Sequence, residues 1–190
     1  EASFLPSSTP TPVTTATDVV QFWREAGPPR WFKKDETFDA DFRARFMATH
    51  EAAARGELAP WAATAEGSLA LLILLDQFPR NSFRGTARMF ATDPMARDFA
   101  RMALAAGHDQ QTEEALRNFF YLPFMHPADP PAHDQALALR TAQGPDARHH
   151  AQVHREIIEK FGRFPHRNAV LGRITTPDEQ RFLAAGGFAG

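Results

Sequence analysis

The stretch from Leu69 to Leu75 reads Leu-Ala-Leu-Leu-Ile-Leu-Leu, seven apolar residues without a break. A bilayer-spanning helix needs about 20 such residues, so this run is too short to cross a membrane. A helix that is apolar on every side belongs at the centre of a core. The rest of the chain must therefore supply the elements that wrap it.

Those elements read as helices, since no period-two strand with a hairpin turn is found. Thr17 or Asp18 can cap a first helix in which Val19, Phe22, Trp23 and Ala26 recur at helical spacing before Gly27. Phe38, Phe42, Phe46 and Ala53 stripe a second helix that Gly56 ends. Pro79 is expected to stop the central helix, because proline lacks an N–H and disfavours helical geometry at the residue before it. Asp93-Pro94 reads as the cap and first turn of a helix with Met95, Phe99, Met102 and Ala106 inward. Thr176-Pro-Asp-Glu179 is a capping box for the last one. The expected architecture is all-α: about eight or nine helices stacked as antiparallel pairs in a single domain over residues 17–190. A Ser-, Thr- and Pro-rich flexible tail, residues 1–16, would precede it.

Composition narrows the function classes. A formal net charge of -2 offers no basic surplus for nucleic acid or an anionic membrane. The absence of cysteine excludes disulfides, thiolate zinc sites and cysteine nucleophiles. The expectation is a cytoplasmic protein without a cofactor, whose partner is a small anionic molecule or another protein.

Two corners carry the chemistry. Asp76 to Asn81 reads Asp-Gln-Phe-Pro-Arg-Asn, and Phe161 to Asn168 reads Phe-Gly-Arg-Phe-Pro-His-Arg-Asn. A carboxylate such as Asp76 at the end of an apolar helix faces the negative end of the helix dipole and loses hydration, so it needs a cation. Arg80, Arg84, Arg163 and Arg167 are the candidates. If more arginines converge than one carboxylate neutralises, the surplus makes a site for a carboxylate or phosphate. Arg80, Asn81, His126, Arg163, Arg167 and Asn168 are then the ligand-binding set, and His154, His166 and Asp76 the acid–base candidates. On the helix opening at Pro145, His150 and His154 are four residues apart and share an inward face. That spacing suits zinc, but the intervening residues lack a glutamate base, and no metal is assigned. A braced, purely structural cluster on a scaffold for protein–protein interaction is the alternative, and a metal site on His150 and His154 is a further one.

These corners, Phe-Tyr-Leu-Pro-Phe-Met-His at 120–126 and Leu-Gly-Arg at 171–173 resemble the signatures of the bacterial domain-of-unknown-function family 924. The resemblance runs from about Val19 to Phe188. It implies a helical fold similar to tetratricopeptide-like domains and brings no established activity. Members of that family often follow the matching histidine with Ser-Glu, where this chain has Pro127-Ala128. Asp129 could replace that carboxylate in part.

Overall fold

A computed structural model describes residues 14–190, so most of the expected tail lies outside the described residues. The cap of the first helix lies earlier than expected. Thr15 caps the first helix, α1 (Ala16–Ala26), and closes a capping box with Asp18, which is the third helical residue and not the cap. The chain continues as α2 (Pro28–Trp31), α3 (Glu36–Ala54), α4 (Ala65–Leu72), α5 (Phe78–Ser82), α6 (Asp93–Ala105), α7 (Asn118–Tyr121), α8 (Pro130–Thr141), α9 (Pro145–Phe161) and α10 (Pro177–Ala184). No strand occurs among the described residues. Helix lengths run from four to 19 residues, without the uniform pairs of a tetratricopeptide array. No described helix is long and apolar enough to cross a membrane.

The central apolar run is buried throughout, as a helix without a polar face requires. The α1, α3 and α6 helices pack around α4 and its continuation. Gly67 lets the turn at Ala59–Ala63 fold back onto α4, because a Cβ there would stand 1.9 Å from the Trp61 carbonyl oxygen. On α6 the inward stripe is the small set Ala96, Ala100 and Ala103, and Met102 points outward at 56% exposure. Alanine lets α6 lie close against α4, where the longer side chain would hold the helices apart.

Pro79 does not stop the central helix. One π-helical turn, Ile73–Gln77, joins α4 to α5, so helical backbone runs from Ala65 to Ser82. The turn redistributes hydrogen bonds. The Phe78 N–H reaches back to the Ile73 carbonyl, and His50 Nδ1 donates instead to the Leu74 carbonyl at 2.7 Å. The Leu75 carbonyl, which Pro79 cannot serve, accepts the Thr92 hydroxyl at 2.5 Å. Buried carbonyls left without donors would each cost about 1–3 kcal/mol. His50 and Thr92, remote in sequence, thus let a proline sit inside a helical run.

A second, smaller cluster of Ile157, Ile158 and Phe164, flanked by Phe182 and Phe188, joins α9 to the C-terminal segment. Gly162 ends α9 in the left-handed conformation at φ 69°, where a side chain would be strained. That reversal sends Phe164 to Arg167 back toward α5.

Candidate functional site

Between α5 and this C-terminal segment lies a cavity of about 650 Å³. The α5 corner contributes Arg80 and Asn81, and the Gly162 reversal contributes His166 and Arg167. The two corners meet across the cavity, and their roles differ.

Asp76 lies under the cavity, 1% exposed. Its carboxylate accepts His126 Nδ1 at 2.7 Å and Gln77 Nε2 at 2.8 Å. Arg80 stands 3.5 Å away and donates to the Asp76 backbone carbonyl at 2.8 Å. Burial alone would raise the carboxyl pKa, but the charges of His126 and Arg80 override it and hold Asp76 at about 2. In that bond Nδ1 donates to the carboxylate, which fixes the orientation of the ring. Nε2 has no partner among the described residues and lines the cavity side of the ring.

Arg80 is spent internally. It forms two parallel bonds to Asp93, at 2.7 and 2.9 Å. Asp93 is therefore the first residue of α6 and an ion-pair partner; Thr92 holds the cap position, and its side chain makes no capping bond. Asn81 Nδ2 donates to Asp39 at 2.9 Å, and Arg84 pairs with the same carboxylate. Asp76, Asp93 and His126 bring possible metal ligands within 4.8 Å of one another. The Arg80 guanidinium pairs with both carboxylates, and that donor set does not suit a cation.

Arg167 has no such partner. Its guanidinium lies over the rings of Phe90, at 4.2 Å, and Phe164, at 4.8 Å. No carboxylate pairs with it among the described residues, and Nε is buried without an acceptor. Burial, reinforced by the neighbouring Arg80 charge, pushes its pKa down to about 10.

Two of the cavity histidines, His154 and His166, are held neutral. Burial holds His154 at about 3, and its Nδ1 donates to the His150 carbonyl at 2.8 Å. Burial and the Arg167 charge hold His166 at about 4, with Nδ1 buried and unbonded. His150 does not share the burial expected of it. It sits exposed at the rim, its ring 4.7 Å from that of His154.

Arg163 and Asn168 stand apart from the cavity. Arg163 makes two bonds to the buried Glu179, at 2.9 and 2.7 Å, and Asn168 links Glu179 to Arg173. These residues clamp α10 to the α9 corner. Asp129 does not line the cavity either, so it does not take the place of a carboxylate beside His126.

Residues that sequence did not point to complete the walls. Gln77 fixes Asp76, and Phe90 carries Arg167. Phe188 covers the rings of His154 and His166 at 4.6 and 5.1 Å. Phe90 and Phe188 carried no local signal, since an aromatic residue in a connector looks the same whether it faces a core or a cavity.

Fold and cavity together define an all-helical domain with a cleft of arginines, histidines and aromatic rings. The chain belongs to the family described as bacterial proteins of unknown function (DUF924), whose model matches residues 19–187. It is similar to a solved protein of unknown function from Agrobacterium tumefaciens, at 56% identity and a TM-score of 0.88. The match covers 90% of this chain and 97% of that one. No curated protein matches the sequence.

Proposed function

We propose that the cavity binds a small organic anion, its carboxylate or phosphate on Arg167 and its apolar body against Phe90, Phe164 and Phe188. The observation that carries this reading is the charge balance. Among the described residues Arg80, Arg84, Arg167 and Lys34 line the cavity and no aspartate or glutamate side chain does. Asp93 and Asp39 neutralise Arg80 and Arg84 from behind, and Arg167 is left without a paired carboxylate among the described residues. A desolvated guanidinium without a counter-charge costs several kcal/mol, which an anion in the cavity would offset. His126, oriented by Asp76, would exchange a proton with the ligand through Nε2.

Phenylacetate and inorganic phosphate are suitable probes for thermal unfolding. At about a hundred times its dissociation constant a ligand adds about 2.7 kcal/mol, a rise of about 5–10 °C in Tm for a domain of this size. The rise should vanish in Arg167→Met. Equal rises in wild type and variant, or none with either probe, would refute the reading.

A further inference from the structure

A second buried arginine is left short of partners, and it lies on a different cavity. Arg140, in the last turn of α8, is 8% exposed. A guanidinium has five N–H donors. Arg140 uses one, from Nη1 to Gln143 Oε1 at 2.7 Å. Its Nε is buried without an acceptor, and no carboxylate pairs with it among the described residues. Burial lowers its pKa with nothing to offset the effect.

The side chain borders a cavity of about 480 Å³ formed by α2, α7, the turn before α7 and the α8–α9 connection. Arg117 and Asn118 face the same space. Arg117 is anchored through Nε to the Thr112 carbonyl at 2.9 Å, and its terminal nitrogens make no bond within the described protein. Tyr121 is tied by its hydroxyl to Asp109 at 2.8 Å and forms a fixed wall. Glu114 is the one carboxylate on the lining; it is exposed and pairs with neither arginine. Trp31 and Phe32 supply an aromatic side, and Phe32 is 62% exposed.

We infer that Arg140 and Arg117 form a second oxyanion site, which takes a phosphate or carboxylate carried on a body that lies against Trp31 and Phe32. Several features fit this role. A guanidinium kept in water would need no fixed acceptor, but one that is nine-tenths buried does. Two guanidinium groups and an amide converging on one space give the directional, charge-assisted donors that oxyanions favour. The aromatic wall suits a planar or apolar ligand body. Trp31 and Phe32 also border the Arg167 cavity, but the arginines of the two sites are different, and the test separates them.

The test is NMR observation of the arginine Nε–H signals of the full chain during titration with sodium phosphate and, separately, sodium acetate, against sodium chloride at matched ionic strength. Arg140→Met identifies the Arg140 signal. The expected result is a saturable shift of that signal with phosphate or acetate, retained in Arg167→Met. Arg117→Gln should weaken the binding about ten-fold, the worth of one charge-assisted bond of about 1.4 kcal/mol. The response to each salt separates phosphate from carboxylate. No shift beyond the chloride control, or a shift that disappears in Arg167→Met, would overturn the proposal. If Arg140→Met does not fold, the Arg117→Gln titration decides: an unchanged midpoint overturns it as well.

Discussion

Replacing Asp76 by Asn keeps the size of the side chain and removes its charge, which makes it the sharpest test of the arrangement under the cavity. In the wild type the carboxylate accepts His126 and Gln77 and stands beside Arg80. An amide offers one acceptor oxygen in place of two and puts an N–H₂ where an acceptor was. A carboxyl held at about 2 in the fold, against an ordinary 3.8, contributes on the order of 2 kcal/mol at neutral pH. The amide would forfeit that amount and add a misplaced donor, for a loss of about 3 kcal/mol. The Tm should fall by about 6–12 °C. The sign of the pH dependence is fixed: a depressed carboxyl pKa stabilises above pH 3.8, and the benefit is lost as pH falls toward 2. Urea unfolding of both proteins from pH 7 down to pH 2.5 should therefore show curves that are far apart at neutrality and converge below pH 4. A loss under 1 kcal/mol, or a gap that does not change with pH, would refute a charged Asp76 at the centre of the site.

Arg163→Ala separates brace from pocket. It leaves the buried Glu179 without its bidentate partner and should lower the unfolding midpoint clearly, while the affinity for a ligand on Arg167 stays within two-fold; a large loss of affinity without loss of stability would place Arg163 in the site after all. His154 and His166, held neutral at about 3 and about 4, resist protonation that the unfolded chain accepts near 6.5. Stability should therefore fall as pH drops below 6.5, by up to about 1.4 kcal/mol per pH unit for each histidine. His154→Gln should flatten this limb between pH 6 and pH 4, and an unaltered slope would count against a buried neutral imidazole.

Much of the fold is written locally. Apolar residues three and four apart fixed the faces of α1, α3 and α9, and the uninterrupted run at Leu69 to Leu75 fixed the central position of α4, because burial follows from side-chain chemistry alone. The capping box at Thr176 was equally legible, since both of its partners lie within four residues. Pro79 shows the limit of such reading. A proline removes a hydrogen bond wherever it stands, but whether the helix continues depends on donors from elsewhere, and His50 and Thr92 are 29 and 13 residues away in sequence.

The candidate site divides in the same way. The sequence alone determined that this chain carries more arginine and histidine at its helix corners than Asp76 could balance, because composition and spacing are local facts. Only the tertiary structure decided which of those cations are spent. Arg80 meets Asp93, Arg163 meets Glu179, Arg84 meets Asp39, and Arg167 meets two aromatic faces and, among the described residues, no carboxylate. The physical reason is that an ion pair is a matter of a few ångströms between groups that may lie anywhere along the chain, so the charge left over belongs to the packing of the whole domain.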